Sequence, residues 1–151
     1  MSRQEAIFQY REALKLGQKY YRNAVSRGGH PFPPVLDELL DESAVSGRIS
    51  LGVINVPSEL IVGVKSAGRG AALAGNFMPL LDEHSEFATK WIELCTAHLS
   101  DEGIRDPIVC FEYMGKFYVQ EGNKRVSVLK SYGAATIPAY VTRLVPVWSQ
   151  E

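Results

Sequence analysis

Apolar residues recur at helical spacing in three parts of the chain. In residues 4–26, 85–99 and 124–132, apolar side chains return every three or four positions, which is the period of an amphipathic helix. The apolar face of the first segment consists of Ile7, Tyr10, Leu14, Tyr21 and Ala24. The pattern predicts a helix in each segment, and a shorter apolar run predicts a further helix at residues 35–40.

Runs rich in β-branched residues predict strands. Such runs occupy residues 49–56, 60–64, 107–113, 116–120 and 136–146. A Met-Gly dipeptide separates the third run from the fourth, which predicts a hairpin turn. Because strands and helices intermix and a hairpin is present, we expect an α+β fold. It would consist of a small mixed β-sheet with packed helices, preceded by an N-terminal helical arm.

A stretch rich in glycine and proline divides the chain. Residues 28–34 read GGHPFPP, a composition that ends a helix and forms a linker. The total length of 151 residues is enough for one domain with its own core. We therefore predict a helical extension and linker at residues 1–47 and a folded domain at residues 48–151.

The chain is nearly neutral overall but unevenly charged along its length. It has 16 Lys and Arg residues against 17 Asp and Glu residues, a net charge of −1. Residues 1–30 hold six basic and two acidic groups, a net of +4, whereas residues 81–112 hold two basic and eight acidic groups, a net of −6. This balance gives no general attraction to nucleic acid or to an anionic membrane. The basic face of the first helix is either a solvated surface or a contact surface for an acidic partner or a phosphate backbone.

The location of the protein is predicted from what the sequence lacks. The N-terminus has no apolar segment of the kind found in signal peptides, and no run approaches the roughly 18 apolar residues of a spanning helix. Two cysteines, Cys95 and Cys110, are too few for a disulfide framework. We therefore expect a cytoplasmic protein that is not embedded in a membrane.

The segment with the clearest chemistry joins a predicted strand to a predicted helix. It reads Glu121, Gly122, Asn123, Lys124 and Arg125. The first N–H groups of a helix lack internal partners and carry partial positive charge, so a glycine turn that gathers them is suited to an anion. Lys124 and Arg125 add full positive charge, and arginine can hold two phosphate oxygens at once. The pattern predicts a phosphate site at Gly122–Arg125, with Glu121 as a capping residue or a catalytic candidate.

The order of the motifs resembles that of the ParB/sulfiredoxin-like family, which includes domains described as ParB-like nucleases. The resemblance extends over residues 48–145. The segments that carry it are residues 53–61, Trp91-Ile92-Glu93-Leu94, residues 102–109, Glu121-Gly122-Asn123-Lys124-Arg125 and Ile137-Pro138.

The resemblance implies a small fold that binds nucleotide phosphates at the helix after the glycine. Residues 122–125 would form the phosphate loop, Glu121 would take the acidic position before the glycine, and Arg69 would be an early arginine of the site. Residues 65–70 would then be a second cationic loop near the nucleotide, or alternatively an ordinary surface loop. The implied ligand is a nucleotide, with or without Mg²⁺, or another phosphorylated small molecule.

Family members include chromosome-partition proteins that bind nucleoside triphosphates and DNA, so DNA is a weaker expectation as a partner. Sulfiredoxin activity is not expected, because Asn123 and Lys124 stand where that chemistry needs a cysteine. The leading function is therefore a module that binds a nucleotide or another phosphorylated ligand, in DNA-associated or regulatory work. One alternative is a phosphoryl-transfer or nuclease enzyme that uses Glu121. The other is a non-catalytic interaction module of a longer chain, whose basic first helix and acidic middle mediate either self-association, as a homodimer through that helix, or docking to a partner domain.

Overall fold

The computed structural model describes residues 2–68, 70–100, 103–104 and 106–148. Its four α-helices are α1 (Ser2–Ser26), α2 (Leu36–Leu39), α3 (Glu86–Leu99) and α4 (Asn123–Ser131). Its strands are β1 (Val45–Pro57), β2 (Ile61–Val64), β3 (Ile108–Tyr113), β4 (Lys116–Glu121) and β5 (Thr136–Pro146). The predicted α+β fold with an N-terminal helix is confirmed. Within the described residues, no helix combines the length and the apolar character needed to cross a bilayer.

The five strands form one mixed sheet in the order β1-β5-β3-β4-β2. β1 pairs antiparallel with β5, and β3 and β4 form the predicted antiparallel hairpin. The other two pairings, β5 with β3 and β4 with β2, are parallel. Because β2 and β4 are parallel, their carboxyl ends lie at the same edge of the sheet. This edge therefore gathers the segments that follow both strands.

The main core lies between the sheet and the helices. Apolar side chains from the inner face of the sheet, such as Val119 and Val141, pack with Val126 of α4 and with Phe77 from the irregular segment before α3. A smaller cluster on the opposite face of the sheet is built around Leu36, Tyr118 and Leu144. The sheet is thus covered on its inner face by long helices and partly on its outer face by the segment around α2.

Helix α1 packs directly on α3. Tyr10 of α1 is fully buried and meets Trp91 of α3 edge to face, with ring centroids 5.1 Å apart. The other buried positions of α1 are mostly small: Ala6, Ala13, Gly17 and Ala24. The predicted apolar face was wrong at Tyr21, which is exposed and meets Phe32 of the linker edge to face. The predicted division between residues 1–47 and 48–151 stays a prediction, although β1 begins at Val45, three residues before that boundary.

Candidate functional site

The turn between β4 and α4 requires a glycine for two reasons. Gly122, the N-cap of α4, has φ +107°, in the left-handed region that favours glycine. A Cβ atom at this position would also lie 2.6 Å from Cγ2 of Ile108, the first residue of β3. The helical ladder then begins with the Val126 N–H donating to the Gly122 carbonyl at 2.9 Å. The chain therefore turns from strand to helix within one residue, directly above the start of β3.

The start of α4 opens onto a cavity of about 1050 Å³. All five residues of the predicted site that the structure describes, Glu121 to Arg125, line it. The lining also includes residues 65–68, which follow β2, and one face of α3 that includes Phe87 and Lys90. The parallel pairing of β2 with β4 explains the proximity, since the segments that follow both strands meet at one edge of the sheet. Such an edge is a common place for a ligand site.

The lining of the cavity carries more positive than negative charge. Among the described lining residues, the cations are Lys65, Lys90, Lys124 and Arg125, and the acids are Glu93 and Glu121. Four positive against two negative groups give the lining a formal net charge of +2, but Lys65 and Lys90 are paired with carboxylates outside the lining, Asp37 and Glu86. The N-terminal end of the α4 dipole adds positive potential beside Lys124 and Arg125. The start of α4 is therefore the part of the cavity best suited to an anion, even though the whole chain is close to neutral.

Arg125 has a structural role in addition to lining the cavity. Its Nη1 donates to the carbonyl oxygens of Asp106 and Pro107, both at 3.1 Å. These contacts tie the first turn of α4 to the segment that leads into β3. A guanidinium group has five N–H donors, so the contacts of Nη1 leave Nε and Nη2 as donors for other groups. The same side chain can therefore hold the turn and contact a ligand.

Lys124 and Asn123 lie beside Arg125 at the first positions of α4. The Lys124 ammonium lies 5.4 Å from the ring centroid of Phe87. This contact joins α4 to α3 at the cavity. The side-chain oxygen of Asn123 is shielded from solvent and accepts no hydrogen bond from the part of the chain that the structure describes. A buried polar atom without a partner is uncommon in folded proteins, and it marks a place where a ligand or a water molecule would be accommodated.

Glu121 is the last residue of β4 and its side chain is exposed at the cavity. Neither an ion pair nor a capping hydrogen bond involves its carboxylate within the described ranges, and Arg125 contacts backbone carbonyls instead. The predicted capping role is therefore not seen, whereas the position at the cavity keeps the catalytic alternative open. Over the same ranges, no group of three or more His, Cys, Asp or Glu residues could hold a metal ion.

Of the predicted site residues, Arg69 lies outside the described residues. Its neighbours at positions 65–68 do line the cavity, so the loop after β2 belongs to the same site as the glycine turn. The sequence prediction missed Lys90 and Glu93, which α3 presents to the cavity at the helical spacing of i, i+3. Their spacing is visible in the sequence, but nothing in the sequence indicates that this face of α3 borders the glycine turn.

No protein-family model matches the chain, and neither a curated protein nor a solved structure matches it. The resemblance to the ParB/sulfiredoxin-like family therefore stays a prediction from the sequence motifs.

Proposed function

We propose that this chain binds a phosphorylated small molecule, with a nucleotide as the leading candidate, in the cavity at the start of α4. One observation carries the proposal. The glycine turn at Gly122 directs the N-terminus of α4 into a large cavity, where Lys124 and Arg125 add positive charge at the first positions of the helix. Backbone N–H groups at a helix start and nearby cationic side chains are the two elements from which phosphate sites are built.

The size of the cavity is compatible with a ligand larger than inorganic phosphate. Its volume of about 1050 Å³ compares with the range of about 300–1,000 Å³ typical of small-molecule sites. Phe87 and Leu94 of α3 contribute apolar surface to the lining beside its charged residues. A ligand with both an anionic group and a flat, less polar group, such as a nucleotide, fits this mixed lining.

The test is calorimetric titration with ATP, GTP, CTP, UTP and pyrophosphate, each with and without Mg²⁺. We expect at least one of these probes to bind, and we expect Lys124→Gln to weaken that binding by about tenfold or more, since a charge-assisted hydrogen bond contributes about 1.5–3 kcal/mol. Lys116→Gln is the matched control, because Lys116 is an exposed lysine at the hairpin turn and does not line the cavity. If no probe binds, or if both variants weaken binding equally, the proposal is wrong.

A second candidate function is phosphoryl transfer or phosphodiester hydrolysis. The observation that favours it is the position of Glu121, whose exposed carboxylate lines the cavity immediately before the glycine turn. A carboxylate so placed is suited to act as a general base or to hold Mg²⁺ beside a phosphate. Turnover that depends on Mg²⁺ and is lost in Glu121→Gln would establish this function. Binding without turnover would leave the chain as a binding module.

Binding of DNA and formation of a homodimer through α1 are also proposals. The buried face of α1 is occupied by α3, so any partner of α1 must use its outer face, which exposes Phe8 and Leu16 beside basic residues such as Lys19. Light scattering of the wild-type protein and of Phe8→Ser tests self-association. A monomeric wild-type protein would exclude it.

A further inference from the structure

One wall of the cavity, residues 65–68, is hydrogen-bonded to a residue that does not itself line the cavity. This residue is Asp37, in the single turn of α2. Its carboxylate accepts from two side chains of the wall: Lys65 Nζ donates to Oδ1 at 2.5 Å and Ser66 Oγ donates to Oδ2 at 2.6 Å. Its backbone N–H donates to the Lys65 carbonyl at 3.0 Å. Three hydrogen bonds thus join one residue to two consecutive residues of the wall.

The wall has few other attachments. The Lys65 N–H donates to the Val119 carbonyl at 2.8 Å, which extends the pairing of β2 with β4 by one residue. After this bond the chain leaves the sheet, and Ser66, Ala67 and Gly68 are all exposed. A Cβ atom at Gly68 would meet no atom within 4 Å. Beyond Lys65, the hydrogen bond that attaches the wall among the described residues is the one from the Ser66 hydroxyl to the Asp37 carboxylate.

The same contacts set the direction of the Lys65 side chain. Its ammonium is drawn toward Asp37 and lies 5.2 Å from the ring centroid of Phe111, and the side chain is largely buried. The two donors hold the pKa of the Asp37 carboxyl below its ordinary value, with Lys65 as the larger cause and Ser66 as the second. The carboxylate is therefore ionised, and able to accept both bonds, across the neutral range.

We propose that Asp37 is a positioning residue for the cavity, which holds the wall at residues 65–68 through Ser66 and Lys65. This inference rests on the proposed function in one respect, because it makes the affinity for a phosphorylated ligand depend on a residue that does not touch that ligand. Loss of the carboxylate leaves the wall attached at Lys65 alone. The cavity then has no fixed width between this wall and the start of α4.

The first measurement is hydrogen–deuterium exchange of the full chain without any ligand. In Asp37→Ala the two backbone hydrogen bonds at Lys65 are left to hold an otherwise released segment, so we expect this end of the sheet to fray. The backbone amide of Lys65 should then exchange at least tenfold faster than in the wild-type protein, while the amides of α4 keep their protection. Glu42→Ala is the control for loss of a surface ion pair, since Glu42 pairs with Arg48 at 3.1 Å and neither residue lines the cavity. Equal protection of Lys65 in the wild-type protein and Asp37→Ala would overturn the proposal.

The second measurement is the affinity for pyrophosphate in a cycle of Asp37→Ala, Ser66→Ala and the double variant. We expect each single variant to bind about five- to tenfold more weakly and the double variant to bind no more weakly than Asp37→Ala alone. Strict additivity would overturn the claim that Asp37 acts through Ser66. If the wild-type protein does not bind pyrophosphate or any nucleotide, the proposed function fails, whereas the exchange measurement still decides whether Asp37 holds the wall.

Discussion

The indole N–H of Trp91 in α3 donates to the hydroxyl of Ser127 in α4 at 2.8 Å, and both side chains are fully buried. This bond joins the helix that forms one side of the cavity to the helix whose first turn is the candidate phosphate loop. Ser127 lies two residues after Arg125, so the bond also fixes the rotation of α4 about its axis. The orientation of the candidate site thus depends on a polar contact inside the core.

We expect Ser127→Ala to lower the free energy of unfolding by about 1–3 kcal/mol, because the buried indole N–H would lose its acceptor. Urea denaturation followed by fluorescence measures this loss. Trp91→Phe, combined with Ser127→Ala in a double-mutant cycle, isolates the hydrogen bond from the loss of indole packing. The contribution of the bond would be disproved if the losses of the two single variants simply added.

Replacing Gly122 with alanine should destabilise the protein by about 2–4 kcal/mol. The left-handed backbone costs about 1–2 kcal/mol for a residue with a Cβ, and contact with Ile108 adds the cost of overpacking. Gly115→Ala is the matched control, because Gly115 has φ +85° but no atom lies within 4 Å of its Cβ position. The two variants should differ in urea denaturation by the packing cost alone, and equal losses would contradict this account of the turn.

Gly17→Ala tests how closely α1 belongs to the folded body. Alanine in a helix interior normally stabilises by up to about 1 kcal/mol relative to glycine. Here the added Cβ would lie within 3 Å of the Pro79 carbonyl oxygen, so we expect a lower melting temperature. Gly47→Ala in β1 meets nothing within 4 Å and should leave the melting temperature nearly unchanged. A stabilised Gly17→Ala would mean that α1 does not contact this segment in solution.

Neither cysteine should react with a thiol reagent in the folded state. Cys95 and Cys110 are both free and buried. Burial raises the pKa of the Cys110 thiol to about 12, and it also raises the pKa of the Cys95 thiol. Titration with a chromogenic disulfide should detect both thiols in guanidinium chloride and essentially none in buffer. Rapid labelling of the native protein would show that the core is open on the timescale of the assay.

The raised thiol pKa also predicts a dependence of stability on pH. In the unfolded chain the Cys110 thiol ionises near its ordinary pKa of 9.0, whereas in the folded chain it stays protonated up to about 12. Above pH 9 the unfolded state therefore holds fewer protons, and the free energy of unfolding falls as pH rises. Cys110→Val should reduce this slope between pH 9 and pH 11 in urea denaturation. An unchanged slope would assign the pH dependence to other groups.

The elements with strong periodicity could be predicted closely. The last strand was predicted at residues 136–146 and lies there, and the helix predicted at residues 85–99 lies at Glu86–Leu99. The segment at residues 71–81 shows no clear period, because its buried residues, such as Phe77 with φ +67°, are held in irregular turns by long-range contacts. The face of α1 was partly missed, since close contact with its neighbours favours Ala6, Ala13 and Gly17 over larger apolar residues.

The candidate site could be predicted from sequence only where it is continuous along the chain. Gly122 to Arg125 form a single turn, so their shared position follows from the motif itself. That residues 65–68 line the same cavity depends on the parallel pairing of β2 with β4, which local patterns do not determine. The contacts of Asp37 with Lys65 and Ser66 join residues 28 and 29 positions apart and have no sequence signature.

The two sides of the cavity are attached to the protein in different ways. The α4 side is joined to the core through Trp91 and Ser127 and to the segment before β3 through Arg125, whereas the wall at residues 65–68 is exposed to solvent at Ala67. Insertions or substitutions around Ala67 would therefore alter which molecules are accommodated at little risk to folding. Ligand preference in proteins built on this plan could diverge through that short segment while the glycine turn before α4 stays constant, and a mutant library aimed at new selectivity should begin there.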